Sequence, residues 1–279
     1  MKICLGSILL GAFLVLSVTT VSFGQVVFQD DFNGSMNPAW SIKNNDPTLY
    51  SISTNGLILR CCSGDMWNGS ATYKNLFLIT NPVSQNFTFT AKLNWLITST
   101  KGSTQFALVA YDDSGDYVRV DYGGGIEIFS DVAGKLATPD YWSGPTFGTN
   151  QFWLQMRKQG TTYSSWFSID GNTFTQINPA ITYSNAHPAY LGIIAMSDPD
   201  QTAIADISSV VVAQILPIQI GVTTVGSLPV VIWPAAGTNF VLQMTTNLTS
   251  TNWVTVTNGI PFFGLQITNP PGSAFFRLH

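Results

Sequence analysis

A single glutamate, Glu127, and two histidines, His187 and His279, are all this 279-residue sequence offers of those two types. Histidine is the usual general base near neutral pH and the commonest metal ligand. A His-based nucleophilic triad or zinc centre would therefore have to be assembled around His187. What remains is carboxylate chemistry. Glycoside hydrolysis normally takes two carboxyl groups, about 5–5.5 Å apart for retention and about 6.5–9.5 Å apart for inversion. Glu127 with Asp121 or Asp131 could serve an inverting reaction, so these three are the candidate catalytic residues if the chain is an enzyme. The scarcity of acid–base groups favours binding without catalysis.

Other residue types suit recognition better. Alternation along a strand puts successive side chains on opposite faces. Tyr117, Arg119 and Asp121 then share one face, Trp153, Gln155 and Arg157 another, and Trp166 stands among serines on the strand that follows. If these rows align on one concave sheet, they form a single surface with Glu127. Flat rings on which sugars stack, beside amides, guanidinium groups and carboxylates that bond hydroxyls, are the makeup of a ligand site. A solvated outer face, which half-buried antiparallel sheets also carry, has the same pattern. Trp67, in Ser63–Gly69, and Trp142, in Asp140–Gly144, are loop tryptophans that could cap a ligand cleft or plug the end of a sandwich.

The elements that must position these residues read as strands almost throughout. Period-two runs recur between Gly, Pro, Asn and Asp clusters, with no amphipathic helix, which predicts an all-β antiparallel sandwich. Predicted strands include Gly56–Cys61, Asn86–Trp95, Gln105–Tyr111, Tyr117–Tyr122, Ile126–Phe129, Phe152–Arg157, Tyr163–Ile169, Ala189–Met196 and Ala203–Val212. Asp112–Asp116 and Asp170-Gly171 read as reversals. Residues 214–220 read as a linker, because Pro217 demotes any strand there to an edge. Residues 221–279 read as a second, smaller β module, marginal in isolation at about 60 residues without disulfides.

The first 24 residues read as a cleavable signal peptide. Lys2 precedes an uncharged apolar run, and Ser22-Phe23-Gly24 places small residues at −3 and −1. The expectation is an exported protein, secreted or at the cell surface, beginning at Gln25, with no membrane span after cleavage. Removing Lys2 leaves ten basic residues against fifteen acidic ones, which gives no electrostatic footprint for nucleic acid. Charged residues are 9% of the chain, against about 25% in an average domain, and a surface of hydroxyls and amides suits a neutral partner. Cys61 and Cys62 cannot form an ordinary disulfide framework, since neighbouring Cα atoms lie about 3.8 Å apart.

Phe28-Gln29-Asp30-Asp31-Phe32-Asn33-Gly34 followed by Trp40 resembles the opening of a concanavalin A-like jelly roll. Gly56–Leu59, Phe87–Leu93, Gln105–Val109, Tyr117–Val120, Phe167–Phe174 and Ala205-Asp206-Ile207 follow in the matching order. Residues 25–213 are similar to the laminin-G-like, lectin/glucanase-type modules that accompany family 43 β-xylosidases. Residues 221–279 resemble small immunoglobulin or fibronectin-like modules, on Val231–Pro234, Val241–Gln243, Trp253 and Phe275–Leu278. The resemblance implies a calcium ion where first and last strands meet, with Asp31 and Asp206 as its carboxylates and backbone carbonyls completing the six to eight oxygens such an ion takes. Laminarinase-like members carry two glutamates flanking an aspartate on one strand. Glu127-Ile128-Phe129-Ser130-Asp131 has one, and departs from that pattern. The function expected is recognition of a neutral poly- or oligosaccharide without turnover. A glycoside hydrolase using Glu127 with an aspartate, and a structural or adhesive surface protein, are the alternatives.

Overall fold

The computed structural model describes residues 3–5, 16–18, 25–66, 71–83, 85–96, 104–112, 116–123, 126–132, 135–136, 141–143, 151–177, 179–183, 188–216, 218–225, 228–232, 242–246, 252–255, 264–266 and 274–278. They fall into two units. One is Gln25–Gln214, and the other joins Met1–Gly24 to Ile215–His279.

Strands are numbered in chain order. Two short ones, β1 (Ile3–Leu5) and β2 (Leu16–Val18), lie in the first 24 residues. The larger unit opens with β3 (Gln25–Asp30), β4 (Ser41–Lys43), β5 (Tyr50–Ser53), β6 (Gly56–Arg60) and β7 (Leu76–Thr80). Next come β8 (Phe87–Leu96), β9 (Gln105–Tyr111), β10 (Tyr117–Tyr122), β11 (Ile126–Val132), β12 (Lys135–Leu136) and β13 (Tyr141–Ser143). It ends with β14 (Gln151–Gln159), β15 (Thr162–Ser168), β16 (Thr175–Gln176), β17 (Ile181–Thr182), β18 (Tyr190–Met196) and β19 (Ile204–Gln214).

Among the described residues these strands make two antiparallel sheets. The nine-stranded one runs β16-β15-β14-β8-β19-β6-β5, with β17 on β15 and β3 on β19. The eight-stranded one runs β12-β11-β10-β9-β18-β7-β4, with β13 on β11. Strand β8 shows why the first forms: Phe87, Phe89, Ala91, Leu93 and Trp95 are buried while the residues between them are not. These side chains meet Phe77, Phe106, Leu108, Val118, Val120 and Leu191 of the other sheet in one cluster. Each such aliphatic or Phe side chain contributes about 1.5–3 kcal/mol when fully buried. The all-β sandwich is therefore established.

The eight-stranded sheet is buried on its second face as well. Met66, Tyr73, Leu76, Leu78, Ala107, Val109, Tyr111, Tyr117, Ile194 and Met196 form a separate cluster. A strand covered on both sides loses its alternation, and every residue of β9 is buried.

The opening motif locks the N-terminal edge. The Asp30 carboxylate accepts hydrogen bonds from Phe32 N (2.8 Å), Asn37 N (2.9 Å) and Trp40 Nε1 (2.8 Å). The Trp40 ring stacks on Phe32 at 6.1 Å and meets Phe28 edge-on at 5.5 Å. At the β5–β6 reversal, Gly56 has φ 142°, and a Cβ there would lie 2.4 Å from the Ile207 carbonyl oxygen of β19. Gly56→Ala is expected to cost on the order of 2 kcal/mol through backbone strain, read as a lower midpoint in thermal melts; an unchanged melt would refute the close approach.

In the second unit, β20 (Ile218–Val225), β21 (Leu228–Ile232) and β24 (Gly264–Gln266) form a four-stranded sheet with β2. Strands β22 (Leu242–Thr245), β23 (Val254–Thr255) and β25 (Ala274–Leu278) form another with β1. Strand β20 begins inside the segment read as linker, directly after Pro217. Residues of the first 24 supply an edge strand to each sheet, Ile3–Leu5 against Ala274–Phe276 and Leu16–Val18 against Ile218–Ile220.

Candidate functional site

The outer face of the nine-stranded sheet carries an open aromatic and polar platform. Strands β14 and β15 form a hairpin whose tight turn uses Gly160 at φ 59°. Its register sets Trp153 opposite Ser168, Gln155 opposite Trp166 and Arg157 opposite Ser164. Directly opposed residues of an antiparallel pair share a face. Phe152, Leu154 and Met156 take the core side, which sends Trp153, Gln155 and Arg157 outward together with Ser164, Trp166 and Ser168. On the other flank, Trp153 pairs with Lys92 and Gln155 with Thr90 of β8.

The side chains interlock. The Arg157 guanidinium lies 3.7 Å from the Trp166 ring centroid and 5.9 Å from that of Phe174. Arg157 Nε donates to Gln155 Oε1 at 2.5 Å, and Gln155 Nε2 donates to Thr90 Oγ1 at 2.8 Å. Trp166 Nε1 donates to Ser164 Oγ at 2.8 Å. Lys92 Nζ sits 5.1 Å over the Trp153 ring, whose far edge packs on Gly171, where a Cβ would come within 2.9 Å of it. Trp153, Trp166 and Arg157 are half-buried and Gln155 is buried. Burial lowers the Arg157 pKa to about 10, so it stays cationic at neutral pH.

Tyr117, Arg119 and Asp121 are elsewhere, which corrects the expectation of one shared surface. Alternation assigns faces within a strand but not the sheet a strand joins. Strand β10 pairs with β9 and β11, whereas β14 pairs with β8 and β15. Nor is this second row solvated. Arg119 and Asp121 are each 1% exposed. Arg119 Nε lies 2.8 Å from Asp121 Oδ2, and its Nη1 reaches Asp65 Oδ1 at 3.2 Å and Met66 O at 3.0 Å. Tyr117 Oη donates to Met66 O at 2.5 Å. In the ladder Glu127 stands opposite both Asp121 and Trp142, and Asp131 stands opposite Tyr117. Trp67 lies outside the described residues.

The two candidate calcium ligands are offset. Asp30 pairs with Val210, and a register shift between Ile207 and Ser209 brings Asp31 to about two residues from the level of Asp206, about 7 Å along the strand. Asp31 accepts from Gln29 Nε2 at 3.0 and 3.1 Å, and burial pushes the Asp206 carboxyl up. Among the described residues no three His, Cys, Asp or Glu side chains converge. Cys61 and Cys62 are buried free thiols, and burial raises both pKa values away from reactivity.

Thr90, Lys92, Ser164 and Phe174 belong to the platform and were not singled out from the sequence. The alternation of Asn86–Trp95 already turned Thr90 and Lys92 away from the core. Only the pairing of β8 with β14 shows that they flank the tryptophans.

A scan against protein-family models and a search of curated proteins return no match. Solved structures do. The chain is similar to the GH43 BlXynB protein from Bacillus licheniformis, with 16% identity and a TM-score of 0.56 over 67% of this chain and 39% of that one. It is similar to xylan beta-1,4-xylosidase from Bacillus halodurans C-125, with 16% identity and a TM-score of 0.52 over 67% of this chain and 39% of that one. Bacteroides ovatus xyloglucan PUL GH43B gives 16% identity and a TM-score of 0.52 over 71% of this chain and 41% of that one. The chain thus spans about two fifths of these proteins' length. At such identities the likeness establishes the antiparallel β-sandwich fold.

Proposed function

We propose that this is an exported, non-catalytic carbohydrate-binding protein that holds a neutral poly- or oligosaccharide on the outer face of its nine-stranded sheet. The sandwich corresponds, in this reading, to an accessory module of the family 43 β-xylosidases, and the C-terminal unit to a small immunoglobulin- or fibronectin-like module. The observation that carries the reading is the pair of half-buried tryptophans. Trp153 and Trp166 are diagonal neighbours on adjacent strands, about 7–8 Å apart, with the Gln155 amide opposite Trp166 and bonded to the Arg157 guanidinium that stacks on it. Indole faces stack on the apolar sides of sugar rings while the amide and serine hydroxyls bond hydroxyl groups.

Binding to a glycan array hit should fall by about thirtyfold for each tryptophan replaced by alanine, taking about 2 kcal/mol per aromatic anchor. Unchanged affinity in a folded Trp153→Ala/Trp166→Ala protein would reject the platform.

The hydrolase alternative draws on the ladder, which sets Glu127 opposite Asp121. Against it, Asp121 is buried and held by Arg119. Turnover of a polysaccharide panel that disappears in Glu127→Gln would establish hydrolysis instead. Capture of a protein partner with no glycan retained would favour the adhesive alternative.

A further inference from the structure

Most described cations of the larger unit are answered by oxygen. Arg60 donates to Gln201 O at 2.9 Å, Lys43 to Tyr111 Oη at 2.6 Å, and Lys158 to the carbonyls of Gln85 and Gly160 at 2.7 and 2.6 Å. Arg119 has Asp121 and Asp65. Arg157 differs. It is partly desolvated, its Nε is committed to Gln155, and its two terminal nitrogens have no hydrogen-bond or carboxylate partner among the described residues. The nearest outward carboxylates in the sheet lie toward the other end of the platform. Asp206 is level with Gln151 through Asn94, and Asp170 follows Ser168 opposite Trp153. A half-buried guanidinium without an anion is an incomplete site.

We infer that Arg157, held flat on Trp166, is the seat for a carboxylate on the bound glycan, a uronic-acid substituent carried by an otherwise neutral chain. The planar fork of the free terminal nitrogens matches a carboxylate with two parallel N–H···O bonds. Stacking on Trp166 and the bond to Gln155 fix the fork before the ligand arrives, so little side-chain freedom is lost on binding. Lys92, level with Trp153, supplies a second positive charge about 13 Å along the strand, four residues from the position opposite Arg157. The inference rests on the platform reading and refines it, since stacking would hold the neutral rings and Arg157 would choose among decorated chains.

The test uses the full chain on an array of neutral oligosaccharides and uronic-acid-bearing ones, each acid present both free and as its methyl ester. Hits are then measured by titration calorimetry. A free acid should bind about tenfold tighter than its ester, as expected for charge-assisted bonds. Arg157→Gln should erase that difference between free acid and ester. Should Arg157→Gln melt below wild type, Arg157→Lys carries the comparison, keeping the charge but losing the fork and with it part of the preference. Glycan binding with equal affinity for acid and ester, or a preference that survives in Arg157→Gln, would overturn this inference and leave the platform standing. Retention of no glycan at all would overturn both.

Discussion

Replacing Arg119 by methionine is expected to destabilise the sandwich by about 3–5 kcal/mol, the usual cost of stripping one partner from a buried ion pair. Arg119 and Asp121 are each 1% exposed and 2.8 Å apart. Removing the guanidinium leaves a carboxylate in a layer of Tyr, Met and Val side chains. It also frees Met66 O and Asp65 from Arg119 Nη1, loosening the segment that roofs β10. At about 2–4 °C per kcal/mol for a unit of this size, calorimetry should record a midpoint roughly 10 °C lower. Arg119→Met/Asp121→Leu should recover most of the loss, since a well-packed apolar pair can match or exceed a buried ionic one. A loss below about 1 kcal/mol in the single variant would mean that water reaches the pair.

Asp198→Ala is the second large effect, about 3 kcal/mol. Its side chain, fully buried, closes the β18–β19 turn. One oxygen accepts from Asp200 N at 3.0 Å, and the other from Thr202 N and Ala203 N, each at 2.7 Å. Deleting the carboxylate orphans these donors at about 1–3 kcal/mol for each that stays buried. The same contacts predict acid sensitivity. Burial alone would push the Asp198 carboxyl up, but the N–H groups of Ala203, Asp200 and Thr202 outweigh it and hold it below the ordinary value. A depressed carboxyl contributes stability that is complete above its unfolded pKa of about 3.9 and is lost as pH falls through the folded value. Asp170, held by Thr173 N, Asn172 N and the Ser168 hydroxyl, titrates at about 2 and acts in the same direction. Urea midpoints should therefore fall below about pH 4, and less steeply in Asp198→Asn. An identical pH profile in that variant would remove Asp198 from the acid response.

The strands were legible where one face stays wet. Asn86–Trp95, Phe152–Arg157 and Tyr163–Ile169 alternate cleanly, and they are β8, β14 and β15 within a residue or two. The half of the platform built from Trp153, Gln155, Arg157 and Trp166 was legible for the same reason, because a short hairpin fixes which residues face each other. Strand β7 was missed: Leu76–Ile79 is a continuous apolar run, buried on both faces, with no period to read. The placing of Arg119 and Asp121 failed on the same physics. Alternation shows that they share a face and says nothing of a second layer, Met66 and Tyr73 above all, that closes over it. Strand β20 was lost to Pro217, whose cost applies to the position before the strand begins.

Strand β19 joins β3, β6 and β8, so residues 25–30 find their partner among residues 210–214. Among the described residues β3 pairs with nothing else. Strand β3, the first of the larger unit, thus has nowhere to settle until nearly two hundred further residues have left the ribosome, and closure over such sequence distance is slow. The sandwich is therefore sealed by its last strand, and its first edge completes only when that unit is nearly whole.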